Sequence, residues 1–136
     1  MLISVNAKMS LNYRLAAATI RSMEPREIAA TYFRAWKERD FDALRAVLAD
    51  DATFAGPLGR AEGAEAMRAG IERLSEIVTD VDVRKAFVDG PDVLTWFELH
   101  TTAAPPTPVA NWMHVEEGRI TRVRVTFDAR PLAAAR

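Results

Sequence analysis

The chain has 136 residues, of which 49% are hydrophobic and 27% are charged, and its formal net charge is −1. This length and balance fit one globular domain and argue against wholesale disorder. The near-neutral charge argues against a nucleic-acid-binding protein, which usually carries a basic excess to neutralise phosphates. The absence of cysteine excludes disulfides, thiol chemistry and cysteine-ligated zinc. Two histidines offer little material for a histidine-rich metal site, so no metal is expected. We also expect no cofactor.

Residues 1–24 differ in composition from the rest and are interpreted as an N-terminal extension. Their longest apolar stretch, 15–20, is mostly alanine and is interrupted by Thr19. No cationic segment precedes a continuous apolar block, and no run approaches the roughly 20 residues of a membrane span. We therefore expect a cytoplasmic protein without a membrane partner. The extension is either a mobile or weakly helical segment or an arm that packs on a partner subunit.

The first half of the remaining chain has the apolar spacing of helices. Pro25 stands at a typical first helical position, and apolar residues then recur with helical period as far as Arg39. Asp40 is a candidate N-cap for a second short helix. A third helix is predicted over 64–77, and Ala52–Phe54 is a candidate short strand before it.

The second half changes to a period of two residues, which is typical of strands. Strands are predicted over 81–87, 93–101, 109–116 and 119–128, with turns at 89–92 and 117–118. The segment 103–108 (AAPPTP) is predicted to be a loop, because proline cannot donate to a strand ladder. Helices followed by antiparallel strands indicate an α+β fold with helices on one face of a curved sheet.

Three segments carry a resemblance to a known family. They are 28–57 (IAATYFRAWKERDFDALRAVLADDATFAGP), 63–71 (GAEAMRAGI) and 114–128 (HVEEGRITRVRVTFD). Their order resembles the SnoaL-like branch of the nuclear transport factor 2 (NTF2) superfamily over residues 25–131, leaving 132–136 as a tail. The resemblance implies a cone-shaped fold, in which three N-terminal helices pack on a strongly curved antiparallel sheet with an internal apolar pocket.

The resemblance also implies a range of activities, since relatives include steroid isomerases, polyketide cyclases, dehydratases, epoxide hydrolases and proteins without known activity. Fold alone therefore does not define the reaction. In steroid isomerases a first-helix tyrosine donates to a developing enolate oxygen, and Tyr32 matches it. Asn111 matches the position of their second donor. Gly56 stands where those enzymes carry the proton-abstracting carboxylate, so isomerisation by their mechanism is not expected.

Alternation along the strands, placed by the resemblance, gives a candidate pocket lining. A register slip of one residue would invert any of these sets. The expected catalytic or binding residues are Glu98, His100, Tyr32 and Asn111, and the expected lining consists of Trp36, Phe54, Trp96, Met113, Val125 and Phe127.

Glu98 and His100 lie two residues apart on one strand face and could cooperate as a general acid and base. The alternative is that both mark a wetter rim, pair with nearby arginines and perform no chemistry. We expect a homodimeric protein that binds a small hydrophobic molecule, with cofactor-independent isomerase, cyclase or dehydratase chemistry on a carbonyl compound as one hypothesis. The rival hypothesis is a non-catalytic dimeric interaction module that uses the convex sheet face, where Trp112, His114, Arg122 and Arg124 are expected.

Overall fold

The fold of residues 23–134 is described from a computed structural model. The interpretation of residues 1–22 as an extension therefore lies outside the described residues. In chain order the elements are α1 (Pro25–Glu38), α2 (Phe41–Ala46), β1 (Leu48–Gly56), β2 (Gly59–Glu62), α3 (Ala64–Leu74), β3 (Val78–Asp89), β4 (Asp92–Thr101), β5 (Thr107–Glu116), β6 (Arg119–Thr126) and α4 (Arg130–Ala134). No helix among these is long and apolar enough to cross a membrane.

The six strands form one curved, unclosed sheet in the order β2-β1-β6-β5-β4-β3. All neighbouring strands are antiparallel except β1 and β6, which pair in parallel. The predicted α+β architecture of the NTF2-like fold is confirmed. Within this curved, mainly antiparallel sheet the β1–β6 pair is parallel, because the chain passes through β2, α3 and the β3–β5 meander between these two strands.

Helix α1 covers the concave face of the sheet with aromatic side chains. The ring of Phe33 lies 5.1 Å from the ring of Phe97 on β4, and the ring of Trp36 lies 5.8 Å from it. All three side chains are buried. Such aromatic contacts contribute about 0.5–1.5 kcal/mol each beyond area burial. This cluster therefore fixes which face of β4 lies beneath the helix.

Buried hydrogen bonds hold the end of α1 against α3. The indole Nε1 of Trp36 donates to Ser75 Oγ at 3.0 Å, and that hydroxyl donates to the Ile71 carbonyl at 2.7 Å. Arg39 ends α1 in the left-handed conformation at φ 59°. The Asp40 carboxylate then accepts a hydrogen bond from the Ala43 N–H at 3.0 Å, which confirms the predicted cap of α2.

Several predicted boundaries are wrong. The second helix ends at Ala46 and β1 begins at Leu48, so the candidate strand over Ala52–Phe54 is the middle of a longer strand. Strand β2 was not predicted. Helix α3 ends at Leu74, whereas the prediction extended it to residue 77. The loop predicted over 103–108 is shorter than expected, because β5 begins at Thr107 and Pro108 lies within it, opposite Glu98.

The side chains of strand β3 change the face to which they point part-way along the strand. The register shifts between Val83 and Lys85, which marks a β-bulge, so that Val83 pairs with Phe97 while Lys85 pairs with Trp96. A bulge adds one residue and turns the following side chains to the other face. Phe87 consequently projects outward with 58% of its surface exposed. The sequence alternates Val81, Val83, Lys85 and Phe87 with more polar residues, but the bulge prevents these four from sharing one face.

The facing of β4 can be tested by a pair of substitutions on adjacent residues. Phe97→Ala removes the ring beneath α1 and should lower the free energy of unfolding by about 3–5 kcal/mol. Trp96→Ala removes a larger side chain that is 45% exposed, and it should cost about 1 kcal/mol or less. Urea denaturation of both variants measures the difference. A larger loss for Trp96→Ala would contradict the observed facing.

Candidate functional site

Three hydrogen-bonding side chains lie in the apolar interior between α1 and the sheet. Tyr32 projects from α1 and is 1% exposed, while Thr95 on β4 and Asn111 on β5 are each 2% exposed. Thr95 and Asn111 are direct cross-strand neighbours, so their side chains lie side by side on the concave face. Thr107 is a further buried polar residue and belongs to the same alternating set of β5 as Asn111.

The side-chain oxygen Oδ1 of Asn111 is buried and has no hydrogen-bond partner. An unpaired buried acceptor costs about 1–3 kcal/mol, so native interiors rarely contain one. Val125 on β6 is the other cross-strand neighbour of Asn111, and it is only partly buried. The unpaired oxygen therefore lies one strand away from a side chain that reaches the surface.

Burial has a further effect on Tyr32. Because the surroundings disfavour the phenolate, the pKa of Tyr32 is raised above its ordinary value. The hydroxyl consequently stays protonated and can donate a hydrogen bond throughout the physiological pH range. The ring packs edge-on against Phe33 at 5.3 Å and Trp36 at 6.5 Å.

Five of the six residues expected to line the pocket divide into two groups by their burial. Trp36 and Met113 are buried in the core. Phe54, Val125 and Phe127 are partly buried and pack against that core from β1, from β6 and from the segment after β6. A side chain at Gly56 would begin 3.3 Å from the Phe54 ring and 3.6 Å from Val125 Cβ. Gly56 thus borders the partly exposed end of the apolar interior.

The prediction that Trp96, Glu98 and His100 face the interior is wrong. Trp96 is 45% exposed, and the side chains of Glu98 and His100 are 37% and 34% exposed. The opposite set on β4, Val93, Thr95, Phe97 and Leu99, is buried. The sheet therefore separates Glu98 and His100 from Tyr32 and Asn111.

Sequence reasoning missed Thr95 for the same reason. A usable signal was present, because one alternating set on β4 contains a glutamate and a histidine, whereas the other contains Val93, Phe97 and Leu99. Charged and titratable side chains are rarely fully buried, which favours the second set for the interior. The expected inward facing of Met113 and Asn111 and the outward facing of Trp112 and His114 agree with the structure.

Comparison with known proteins gives the family. The sequence model of the SnoaL-like domain matches residues 29–123. The chain belongs to the SnoaL-like domain family. None of the curated proteins matches it in sequence.

Solved structures agree with this assignment. A protein from Kribbella flavida DSM 17836 shares 37% identity at a TM-score of 0.75, covering 80% of this chain and 90% of that chain. An NTF2-like protein of unknown function from Cytophaga hutchinsonii ATCC 33406 shares 28% identity at a TM-score of 0.75, covering 82% and 96%. An LEH-like epoxide hydrolase from M. tuberculosis shares 24% identity at a TM-score of 0.67, covering 80% and 86%, which shows a shared fold.

Two surface recesses of this SnoaL-like protein lie away from the interior polar groups. One, of about 320 Å³, is bordered by Lys37, Arg39 and Asp80. The other, of about 780 Å³, lies beside the β5–β6 hairpin and is bordered by Asp51 and Arg119. Neither recess is lined by Tyr32 or Asn111.

The outer sheet face carries a hydrogen-bonded network around Asp92. Its Oδ1 accepts hydrogen bonds from His114 Nδ1 at 2.8 Å and from Trp112 Nε1 at 2.9 Å. The hydrogen bond to Asp92 raises the pKa of His114, with a smaller contribution from Glu116. In turn, the hydrogen bonds from His114 and then Trp112 lower the pKa of Asp92.

This network predicts a pH-dependent contribution to stability. The raised pKa of His114 gives a contribution that is complete below its ordinary pKa of about 6.5 and is lost as pH rises through the folded value. The lowered pKa of Asp92 gives a contribution present above about pH 3.9 and lost on acidification. His114→Gln should therefore destabilise the protein more at about pH 6 than at about pH 9.

Urea denaturation of the wild type and of His114→Gln at both pH values measures this difference. Asp92→Asn is the matched control, because it removes the charge partner while leaving the histidine. In the Asp92→Asn background the effect of His114→Gln should lose most of its pH dependence. An effect that is the same at both pH values in the wild-type background would rule out the network as its source.

Proposed function

We propose that this SnoaL-like protein binds a small, largely apolar molecule against the concave face of its sheet. Asn111 and Tyr32 contact the polar group of that molecule. The observation that carries the proposal is the buried, unpaired Oδ1 of Asn111. The family match and the fold shared with an epoxide hydrolase support a small-molecule ligand.

The polar groups of the interior define what such a ligand must offer. Asn111 Oδ1 accepts, so the ligand should present a hydroxyl or N–H donor to it. The protonated Tyr32 hydroxyl can donate to an oxygen of the same molecule. The surrounding side chains, including Met113 and Phe97, are apolar and buried. A lipophilic alcohol or hydroxyketone fits this pattern, which is the usual anatomy of a ligand site.

Access to Asn111 lies at the partly exposed end of the interior. Phe54, Val125 and Phe127 are partly buried there, and Val125 is the cross-strand neighbour of Asn111. In this proposal the ligand enters between these three side chains.

The proposal is one of binding, because the sheet keeps the expected acid–base pair away from the interior. Glu98 and His100 lie on the outer face, and the buried polar residues among those described are Ser75, Thr95, Thr107 and Asn111, while Tyr32 is also buried. A general base must be within hydrogen-bond reach of the proton that it abstracts. Glu98 and His100 therefore do not serve a ligand held by Tyr32 and Asn111.

Substitution of Asn111 should separate ligand binding from stability. Asn111→Leu replaces the unpaired amide by an apolar side chain of similar size, and we expect the free protein to gain about 1 kcal/mol of stability. The same variant should lose the rise in melting temperature that ligands give the wild type. Urea denaturation and a thermal-shift screen of lipophilic alcohols, ketones and hydroxyketones measure the two effects.

Met113→Leu is the matched control, since it changes a buried inward-facing residue of the same strand without altering polarity. It should keep ligand-induced stabilisation. The binding proposal is rejected if no compound stabilises the wild type, or if Asn111→Leu is destabilised and binds as well as the wild type.

A second candidate function, homodimer formation through the outer sheet face, is favoured by a cluster of exposed hydrophobic side chains. Phe87, Leu94 and Trp112 form one cross-strand row over β3, β4 and β5, and Trp96 is the next outward residue of β4. These four residues, the aromatic patch, are 58%, 44%, 41% and 45% exposed in that order. Contiguous exposed apolar side chains are typical of interaction surfaces.

Charges on either side of the aromatic patch suit a second copy of the same chain. Arg124 continues the row on β6, and the Arg122 guanidinium lies 5.4 Å from the centre of a Trp112 ring. Asp82 and Glu98 lie beyond the opposite corner of the patch. A twofold axis in the contact plane would place the basic flank of one copy over the acidic flank of the other, as an isologous interface requires.

Light scattering tests the dimer. The wild type at micromolar concentration should have twice the mass of one chain, and Leu94→Arg should have the mass of a monomer because it places an unpaired charge in the aromatic patch. Leu58→Arg is the matched control, because Leu58 is similarly exposed, at 42%, but lies in the β1–β2 turn. A monomeric wild type, or equal disruption by both variants, would contradict the dimer.

A further inference from the structure

Three side chains with metal-binding atoms converge on the outer face of β3 and β4. Asp82 and Glu98 are direct cross-strand partners, and His100 is the next outward residue of β4. One candidate ligand atom from each residue lies within 4.8 Å of those from the other two. The closest approach of His100 to Glu98 is 3.9 Å, from Nε2 to Oε2. This group is called the outer triad below.

The outer triad lies where the sheet has an excess of negative charge. Like charges directly opposite each other in a ladder are destabilising, and Asp82 faces Glu98 in this way. Arg84 contacts Asp82 at 3.1 Å, and Lys37 contacts the neighbouring Asp80 at 3.1 Å. Three carboxylates thus face two cationic side chains, which leaves one net negative charge while the imidazole is neutral. A bound divalent cation would remove the repulsion between Asp82 and Glu98.

The spacing of the outer triad is close to that of a metal site. Ligand atoms about 2.0–2.2 Å from a tetrahedral ion lie roughly 3.4 Å from one another. Small rotations of the three side chains therefore bring atoms that now lie within 4.8 Å to the required distances. In a single copy of the chain all three side chains keep about a third of their surface exposed, so an ion can reach them before any dimer forms. Their backbone positions are held by the β3–β4 ladder.

We propose that Asp82, Glu98 and His100 bind a divalent transition-metal ion, with Zn²⁺ as the best-fitting common ion. One imidazole and two carboxylates are ordinary zinc ligands, and water would complete the coordination. Mg²⁺ fits less well, because it prefers an octahedral set of oxygen ligands. The site lies on the opposite sheet face from Tyr32 and Asn111, so it does not depend on the proposed ligand-binding function.

Isothermal titration of tag-free, chelator-treated full-length protein with ZnCl₂ tests the site. We expect one Zn²⁺ per chain, and an excess of MgCl₂ should not displace it. His100→Gln and Glu98→Gln should each weaken Zn²⁺ binding at least tenfold, since even outer-shell partners of metal sites contribute about 10–100-fold. Both substitutions are on an exposed face, and urea denaturation checks that both variants fold.

His114→Gln is the matched control, because it removes the other histidine of the chain, which also contacts two carboxylates on the same sheet face. It should bind Zn²⁺ with the wild-type affinity. The proposal is overturned if the wild type does not bind Zn²⁺, if His100→Gln and Glu98→Gln bind it as tightly as the wild type, or if His114→Gln weakens binding as much as His100→Gln.

Discussion

The packing of the Phe97 ring beneath Phe33 and Trp36 is the contact on which the two faces of the sheet depend. Successive side chains of a strand point to opposite faces. The one buried ring therefore fixes the direction of all the remaining side chains on β4. The ring lies 5.1 Å from Phe33 and 5.8 Å from Trp36. Trp36 is in turn held by its hydrogen bond to Ser75, which connects the same cluster to α3.

This single constraint divides the chemistry of the molecule. The interior on this side holds side chains that form hydrogen bonds without changing charge at neutral pH, among them Tyr32 from α1 and Thr95, Thr107 and Asn111 from the sheet. The outer face receives the titratable groups of β3, β4 and β5 together with the aromatic patch. An interior ligand would therefore meet hydrogen-bonding groups, whereas ions and protein partners would meet the outer face. Separate faces allow these roles to be tested by independent substitutions.

Local patterns of the sequence predict much of the fold. The apolar spacing from Pro25 to Arg39, the capping carboxylate of Asp40 and the turn at Gly118 are local signals, and the structure contains the corresponding elements. Membership of the SnoaL-like family was also visible in the order of these segments. Features that depend on distant partners were not visible. The parallel pairing of β1 with β6 and the short strand β2 are of this kind.

The facing of β4 could not be derived from periodicity alone. Both alternating sets contain large apolar side chains, Leu94 and Trp96 in one and Phe97 and Leu99 in the other. Periodicity shows that two faces exist, and the contact with α1 decides which one is buried. On β3 the bulge between Val83 and Lys85 reverses the pattern within one strand. The resemblance, rather than periodicity, placed Glu98 and His100 in the predicted pocket, and the bulge directs Phe87 to the same face as Leu94.

The most direct test of this account is a cysteine scan along β4, which the absence of native cysteine makes possible. Single cysteines at positions 93–100 would be labelled with a thiol reagent under native conditions. We predict fast labelling at 98 and 100, fast labelling at 94 and 96 when the protein is dilute enough to be monomeric, and slow labelling, limited by unfolding, at 93, 95, 97 and 99. The reverse alternation would contradict the observed facing of β4 and every functional proposal built on it.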